Sequence, residues 1–182
     1  MPRSFRIDRA SLDTHYRQMQ AVIHPDKFAS RPSSEQRLAA TRSADLNTAY
    51  QTLKNPAQRA QYLCALQTES VDSGDRASAA KLPTEFLIQQ MQYREALSDA
   101  KAQRSASQLA DLQAQVTPLK RTAEDDLARL IDDEHSFAFA RQKINEFMFI
   151  DKLLNEIADA HFQMQQQAQL QTKLQTQPHP QP

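Results

Sequence analysis

The chain contains 182 residues with a formal net charge of zero, and its single glycine, Gly74, compares with about 13 expected from average usage. Sheet proteins use glycines in tight turns and bulges, whereas helices joined by short loops largely do without them, so the composition excludes a sheet-rich fold and predicts an all-α protein. The lone cysteine, Cys64, excludes an intramolecular disulfide and a cysteine-ligated zinc or iron-sulfur site, and no metal or cofactor is expected.

Positive and negative charges are unevenly distributed along the chain. Residues 1–66 carry 10 Lys+Arg and 5 Asp+Glu, and the remaining residues carry 12 and 17. This asymmetry favours two modules that meet different partners. The sequence has no basic stripe interleaved with aromatic residues, so nucleic acid is not an expected partner. Because it also has no long apolar run and no signal segment, we expect a cytoplasmic protein that does not associate with membranes.

The first helical pattern covers residues 9–23, with Asp8 or Ser11 as its expected cap. Its apolar residues recur at intervals of four, three and four, which places on one helix face Leu12, Tyr16, Met19 and Ile23. The helix must end before Pro25, because the residue before a proline disfavours the α conformation. The following stretch, HPDKFASRP, is therefore predicted to form a loop.

Two further helices follow this loop. Ser33 and Gln36 have the spacing of a capping box and predict the start of the second helix. The apolar positions expected to share its inner face are Leu38, Leu46, Ala49 and Leu53. Asn55-Pro56 ends this helix and begins the third, over residues 56–66, whose inward side is predicted to carry Ala60, Leu63 and Cys64. Residues 1–66 thus form a predicted helical hairpin plus a short helix.

The remainder of the chain predicts a linker, a bundle and a tail. The small polar residues 67–82 are interpreted as the linker. Residues 83–167 contain three longer helical patterns, Thr84–Ser105, Leu109–Leu130 and Ser136–Gln167, and their short loops predict an antiparallel three-helix bundle. Pro118 lies inside the middle pattern, where it should kink or break the helix. Residues 168–182 are rich in glutamine and proline and are predicted to be disordered.

The first bundle helix carries two apolar faces. Its expected core face consists of Phe86, Tyr93, Leu97 and Ala100. A second apolar patch of Leu87, Ile88 and Met91, edged by carboxylates, points away from that core and indicates an interaction site. On the last helix the expected core positions are Phe147, Ile150, Leu154 and Ile157, whereas Phe149 faces elsewhere. The alternative is that helix twist or contact with the first module covers these residues.

Two sets of residues carry a resemblance to a known family. A helix ending in HPDK, a polar loop and a helix containing LNTAYQTLKNPAQRAQYL resemble the J-domain, which engages a heat-shock ATPase chaperone. With the later segments FLIQQMQYREAL and FMFIDKLL, the chain over residues 4–160 resembles the HscB family of iron-sulfur cluster co-chaperones. Most J-proteins lack this second bundle, so the resemblance is more specific than to J-proteins in general.

The resemblance implies a function for both modules. The loop residues His24, Pro25 and Asp26 would stimulate the ATPase of an HscA-type chaperone, with Arg17 and Lys27 steering the encounter. The bundle would bind an IscU-type iron-sulfur scaffold protein through Leu87, Ile88, Met91, Gln92, Glu95, Asp99 and Phe149. Gln92 stands where the family often has a glutamate. The resemblance implies no catalytic residues and no enzymatic activity of the chain itself, which is expected to act as a monomer.

Other interpretations of the same residues stay open. The HPD tripeptide could simply end a helix, and a J-protein adaptor for a different client would share the HPD loop without needing the bundle surface. An enzyme or a metal-binding bundle is disfavoured, because no Glu-x-x-His pair lies in the helix cores. The histidines expected at the surface or its boundary are His15, His135 and His161.

The sequence departs from the J-domain pattern at its beginning. J-domains open with a short helix bearing a Tyr-Phe-x-x-Leu-like pattern, and Met1 stands at the leucine of the Gly-Leu-Pro sequence that family members carry before the segment matching Arg3 and Ser4. We therefore expect that the natural protein starts further upstream. If Met1 is its start, the J-domain is N-terminally truncated and lacks a packing partner, which should lower its stability.

Overall fold

The computed structural model describes residues 3–70 and 83–175. These ranges form six α-helices and contain no strand, which confirms the all-α prediction. The helices are α1 (Arg9–Ile23), α2 (Ser33–Lys54), α3 (Pro56–Ser70), α4 (Thr84–Ala102), α5 (Ala106–Ala128) and α6 (Phe137–Gln175). A short 3-10 turn, Pro25–Phe28, connects α1 to α2, and a π-helical turn, Arg129–Asp133, follows α5.

The helices belong to two compact units. The first unit contains α1, α2, α3 and residues 126–144; the second contains α4, α5 as far as Asp125 and α6 from Asn145. The sequence had placed all of residues 83–167 in the bundle, so the inclusion of residues 126–144 in the first unit is a difference from the predicted boundary. Residues 126–144 belong to the first unit because of a tertiary contact, in which Asp132 binds the N-terminal segment directly.

The start of α1 is as predicted, whereas the predicted cap of α2 is wrong. Asp8 Oδ1 accepts a hydrogen bond from the backbone N–H of Ala10 at 3.0 Å, so it caps α1. Pro32 occupies the N-cap position of α2 and makes no side-chain cap bond. Ser33 already lies in the first turn, so Gln36 is not needed there and instead donates to two carbonyl oxygens of the preceding loop.

The inner face of α2 differs from the predicted one at two positions. Leu38 and Ala49 are exposed, whereas Ala39 is buried and Leu46 and Leu53 are partly buried. Tyr50, which had not been assigned to this face, stacks on Tyr16 of α1 with ring centroids 4.1 Å apart. An aromatic pair covers more surface than a leucine and an alanine, so it sets which side of α2 faces α1.

Hydrogen bonds at both ends of the tyrosine pair fix the hairpin of α1 and α2. Tyr16 Oη donates to Asn47 Oδ1 at 2.7 Å, and Tyr50 Oη donates to Asp13 Oδ1 at 2.8 Å. Each hydroxyl thus finds a carbonyl or carboxylate acceptor on the opposite helix, as a half-buried tyrosine requires. The stack and the two bonds together hold the register of the hairpin that presents the connecting turn.

Helix α3 packs against α2. Ala60, Leu63 and Cys64 are buried as predicted, and burial raises the pKa of the Cys64 thiol against a smaller lowering effect of Arg141. Asn55 Oδ1 accepts from the N–H of Gln58 at 3.1 Å, so the helix starts at Pro56 as expected. It continues to Ser70, four residues beyond the predicted end at 66.

The N-terminal segment contributes an aromatic residue to the first unit. No helix precedes Arg9 in the described chain, but Phe5 is only 2% exposed and packs against the guanidinium of Arg59, which is 4% exposed. The Arg59 guanidinium carbon lies 4.7 Å from the Phe5 ring centroid, and Arg59 Nε donates to the Phe5 carbonyl oxygen at 2.8 Å. Phe5 therefore supplies packing that the sequence pattern of this segment does not predict.

Asp132 joins the N-terminal segment to the turn after α5. Its carboxylate accepts hydrogen bonds from Ser4 Oγ at 2.9 Å, the N–H of Phe5 at 2.6 Å and the N–H of Arg6 at 2.9 Å. Arg6 also forms two hydrogen bonds of 2.9 Å with Asp133, and these hold the pKa of the Asp133 carboxyl below its ordinary value. These contacts place residues 126–144 in the first unit.

The second unit has an apolar core to which α4, α5 and α6 all contribute. Leu97 and Ala100 of α4 are buried as predicted, whereas Phe86 and Tyr93 are only half-buried. Phe147, Ile150 and Ile157 of α6 are buried, and Leu154 is half-buried. The buried residues of α5 in this unit are Leu109, Leu112, Val116 and Ala123.

Helix α5 runs through Pro118 as one continuous element, so the proline does not break it. Proline cannot donate the hydrogen bond that an interior helix position normally makes. Leu112 and Val116 before it and Ala123 after it are buried, and this packing on both sides stabilises the helical conformation.

Two non-glycine residues occupy the left-handed region. Arg104 (φ 50°) follows α4, and His135 (φ 52°) lies in the turn between α5 and α6. After α4 the N–H of Ser105 donates to the carbonyl oxygen of Ala100 at 3.0 Å, and that of Arg104 to Lys101 at 3.2 Å. This is a Schellman motif, in which glycine usually occupies the left-handed position.

Helix α6 extends further than predicted, to Gln175 rather than Gln167. Glutamine and alanine are good helix formers, so a helix already nucleated by buried residues can continue past its last packed turn. The prediction of a disordered tail from residue 168 is therefore wrong as far as Gln175. Residues 71–82 of the expected linker and 176–182 of the expected tail lie outside the described residues.

Candidate functional site

The HPD residues form a compact turn at the end of the hairpin. Helix α1 ends at Ile23, and the 3-10 turn closes with hydrogen bonds from Lys27 N–H to the His24 carbonyl at 3.0 Å and from Ala29 N–H to the Asp26 carbonyl at 3.4 Å. Pro25 occupies the first position of this turn, where its fixed φ fits and its missing N–H is not needed. The turn is thus built from local backbone bonds.

His24 and Asp26 interact within this turn. The Asp26 N–H donates to His24 Nδ1 at 3.4 Å. In the ring form that leaves Nδ1 unprotonated, this nitrogen accepts the bond and Nε2 carries the proton. The Asp26 carboxylate lies 3.5 Å from the same Nδ1, yet its side chain is 88% exposed. The turn therefore offers a partner one imidazole N–H donor and one accessible carboxylate.

Arg17 and Lys27 are exposed, and no hydrogen bond or ion pair joins either side chain to another part of the described chain. Arg17 lies on α1, two turns before Pro25, and Lys27 lies in the 3-10 turn itself. Both charges are therefore available to an acidic partner surface.

Gln36 supports the loop after the HPD turn, a role that its capping-box spacing does not predict. Its Nε2 donates to the carbonyl oxygens of Ala29 at 3.1 Å and Arg31 at 2.8 Å. These are loop carbonyls that follow the HPD turn, so Gln36 ties the loop to the first turn of α2. Capping-box spacing could not predict these acceptors. It depends only on where the glutamine lies in the sequence, whereas the acceptors depend on the path that the loop takes.

Helix α4 presents an exposed apolar patch. Leu87 is 44% exposed, Ile88 52% and Met91 71%. Gln92, Glu95 and Asp99 are also exposed and lie on the same side of the helix, away from the buried Leu97 and Ala100. We call the six exposed residues, together with Phe149 of α6, the α4 surface. Helical spacing predicted these members except Gln92, which only the family resemblance supplied, and the structure leaves all six α4 residues accessible.

Phe149 lies beside the α4 residues of this surface. Its ring packs edge-on against Phe86, with centroids 5.8 Å apart, and the Arg94 guanidinium carbon lies 5.4 Å from its centroid. Phe149 is half-buried, so part of its ring stays accessible. Helical spacing predicts Phe86 in the core and gives no sign of the contact between Arg94 and Phe149.

Two open grooves with acidic rims border α4. One, of about 480 Å³, lies between α4 and α5 and includes Asp99 and Asp111. The other, of about 570 Å³, includes Glu85 of α4 and Glu146 of α6. Gln92 lines both. An apolar patch with carboxylates along its border is suited to a partner that offers both apolar and basic side chains.

Two kinds of site are not found in the described residues. No group of three or more His, Cys, Asp or Glu side chains there is arranged to hold a metal ion. His15 and His135 are exposed and His161 is half-buried, each apart from such a group. None of the described helices has the length and hydropathy needed to cross a membrane.

Known proteins resemble this chain along most of its length. The profile of the HSCB C-terminal oligomerisation domain matches residues 82–158. The Co-chaperone protein HscB homolog of Aromatoleum aromaticum is 37% identical over 160 residues, which cover 88% of this chain and 89% of that protein. The homolog of Bordetella petrii is 39% identical over 165 residues, covering 88% and 91%.

Solved structures give the same result. The chaperone HscB from Vibrio cholerae superposes with a TM-score of 0.77 at 30% identity, covering 90% of this chain and 94% of that one. The human co-chaperone protein HscB superposes with a TM-score of 0.75 at 26% identity, covering 86% and 76%. With the relatives above 30% identity that span nearly the whole chain, these matches show that the chain belongs to the HscB family of co-chaperones.

Proposed function

We propose that this co-chaperone acts in iron-sulfur cluster biogenesis by binding an IscU-type scaffold protein and presenting it to an HscA-type heat-shock ATPase. The HPD turn stimulates the ATPase, and the α4 surface binds the scaffold. The observation that carries this proposal is the exposed patch of Leu87, Ile88 and Met91 beside Phe149, in a different unit from the HPD turn. An apolar cluster of this kind is typical of a protein-binding site.

The HPD turn acts by contact and not by chemistry of its own. Its exposed Asp26 carboxylate accepts hydrogen bonds from cationic groups of the ATPase, while the His24 ring donates through Nε2. Pro25 and the turn bonds restrict the loop before the encounter, which lowers the entropy lost on binding. Arg17 and Lys27 increase the rate of encounter with an acidic surface. ATP hydrolysis itself takes place in the chaperone.

The α4 surface holds the client. Leu87, Met91 and Phe149 bury apolar area against the scaffold, and Glu95 and Asp99 set its orientation by pairing with basic side chains. One chain carries both surfaces, so the activity requires no second copy. Tethering the client to a chaperone-binding module raises the effective concentration of the client at the chaperone.

The decisive experiment measures ATP hydrolysis by the chaperone with and without the scaffold protein. His24→Gln should abolish stimulation but leave scaffold binding unchanged. Replacing Leu87, Met91 and Phe149 together by alanine should preserve basal stimulation but remove the additional stimulation by scaffold. Normal stimulation in both variants would refute the proposal.

Matched controls separate these effects from general damage. His15→Gln makes the same change at an exposed histidine of α1, and Phe162→Ala removes an exposed aromatic residue of α6 outside the α4 surface. Both variants should behave as wild type. If the triple variant binds the scaffold normally while His24→Gln is inactive, the alternative of a J-protein adaptor for a different client is favoured.

A further inference from the structure

One stripe of α4 faces Phe149. Phe86, Gln90 and Arg94 are spaced four residues apart, which places them one above another on the helix. The first and the last of them contact the Phe149 ring, edge-on at 5.8 Å and through the guanidinium at 5.4 Å. Phe149 is thus held between an aromatic ring and a cation, in a half-buried position at the edge of the α4 surface.

Hydrogen-bond donors on this stripe remain unused. The Nε2 atom of Gln90 is buried and has no hydrogen-bond partner. The exposed guanidinium of Arg94 forms no hydrogen bond or ion pair with the residues that the structure describes. A buried amide without an acceptor is unfavourable, and a guanidinium has five N–H donors suited to a carboxylate. The accessible guanidinium donors of Arg94 are therefore available to a carboxylate on a partner.

Charge differs between the two sides of the apolar patch. On a helical wheel Leu87 and Met91 lie between Arg94 on one side and Glu95 and Asp99 on the other. The patch therefore has a basic edge beside Phe149 and an acidic edge facing the groove of Asp99 and Asp111. A partner that fits both edges must carry an acidic group and a basic group on opposite sides of an apolar contact.

We infer that Arg94 determines the specificity of the α4 surface by holding Phe149 in place and binding a carboxylate of the scaffold protein. This inference rests on the proposed function, since it assigns the chemistry by which the same surface recognises its partner. The cation–π contact keeps the Phe149 ring at the edge of the patch, and the guanidinium donors remain free for the incoming carboxylate. Arg94 thereby fixes the direction in which the scaffold docks.

The test measures binding of the full chain to the purified apo scaffold protein encoded by the same genome, by isothermal titration calorimetry. Arg94→Met keeps the length of the side chain without its charge, and its affinity should fall about fivefold to twentyfold. Arg94→Glu should weaken binding by more than about twentyfold, because it places a like charge against the carboxylate.

Lys101→Glu is the matched control. Lys101 lies on the same side of α4 two turns further on, is exposed, and has no contact with Phe149 in the structure. A loss with Arg94→Glu that Lys101→Glu reproduces would show a general charge effect and overturn the inference. Raising the salt concentration from about 0.1 M to about 1 M shortens the screening length from about 10 Å to about 3 Å, so it should reduce the difference between wild type and Arg94→Met.

Combining Arg94→Met with Phe149→Ala tests the positioning role. If Arg94 acts partly through Phe149, Arg94→Met should cost less affinity in the Phe149→Ala background than in wild type. Far-UV circular dichroism should match wild type and show that the variants fold, whereas Phe149→Ala should lower the melting temperature because its ring is half-buried against Phe86.

The outcomes distinguish this inference from the proposed function. If wild type binds the scaffold and the triple alanine variant does not, the proposed function stands. Affinities for Arg94→Met and Arg94→Glu within about twofold of wild type would then overturn the role of Arg94 alone. If wild type itself does not bind the scaffold, the proposed function fails with it.

Discussion

Replacing Arg59 with methionine should strongly destabilise the first unit, because Arg59 connects three parts of it. Its guanidinium lies 4.7 Å from the Phe5 ring centroid, and Nε donates to the Phe5 carbonyl at 2.8 Å. Another of its nitrogens donates to the carbonyl oxygen of Leu53 at the end of α2. Methionine fills a similar volume but cannot donate to either oxygen.

The expected loss follows from the groups left without partners. A buried carbonyl that loses its hydrogen bond costs about 1–3 kcal/mol, and the substitution leaves two such oxygens, one buried and one partly buried. Loss of the cation–π contact adds about 1 kcal/mol, which the sulfur-aromatic contact of methionine offsets in part. The free energy of unfolding of the first unit should therefore fall by about 3–5 kcal/mol, a large fraction of the typical total.

Urea unfolding followed by tyrosine fluorescence measures this loss. Three of the four tyrosines, Tyr16, Tyr50 and Tyr62, lie in the first unit, and the chain has no tryptophan, so the signal reports mainly on that unit. Arg42→Met, at an exposed position of α2, is the matched control and should change stability by less than about 0.5 kcal/mol. A loss below about 1 kcal/mol for Arg59→Met would contradict the reasoning, since one unpaired buried carbonyl alone should exceed it.

Three further changes have defined outcomes. Arg104→Gly should raise the free energy of unfolding of the second unit by about 1 kcal/mol in urea titrations. Glycine adopts the left-handed conformation without a steric penalty. A decrease in the free energy of unfolding would contradict this expectation. Pro118→Ala restores an N–H in the interior of α5 and should raise the melting temperature, whereas a lower value would show that the proline is stabilising. Arg6→Gln should destabilise at neutral pH, because Arg6 lowers the pKa of Asp133 in the folded state. Its difference from wild type should begin to decrease near the ordinary aspartate pKa of about 3.9 and disappear once the pH is below the lowered pKa of folded Asp133. A difference that does not decrease with pH would exclude this ion pair as its cause.

Local features of the chain could be predicted because they depend on neighbouring residues. The beginning of α1 follows from Asp8 and its end from Pro25, and the beginning of α3 follows from Asn55-Pro56. The accessible Leu87, Ile88 and Met91 follow from helical spacing, which separates two faces of one helix whatever else surrounds it. The prediction of Leu38 on the inner face of α2 was wrong, because the tyrosine stack with α1 decides that face.

The sequence alone therefore determined the helical class from its composition, and the HPD turn and the accessible α4 residues Leu87, Ile88 and Met91 from neighbours within one or two helical turns. Only the tertiary structure decided which distant groups meet: Phe5 with Arg59, Asp132 with the N-terminal segment, and Arg94 with Phe149. Each of these pairs joins segments far apart in the chain. Their contacts depend on how whole helices pack, and helix packing angles and offsets are not encoded in the spacing of any single segment.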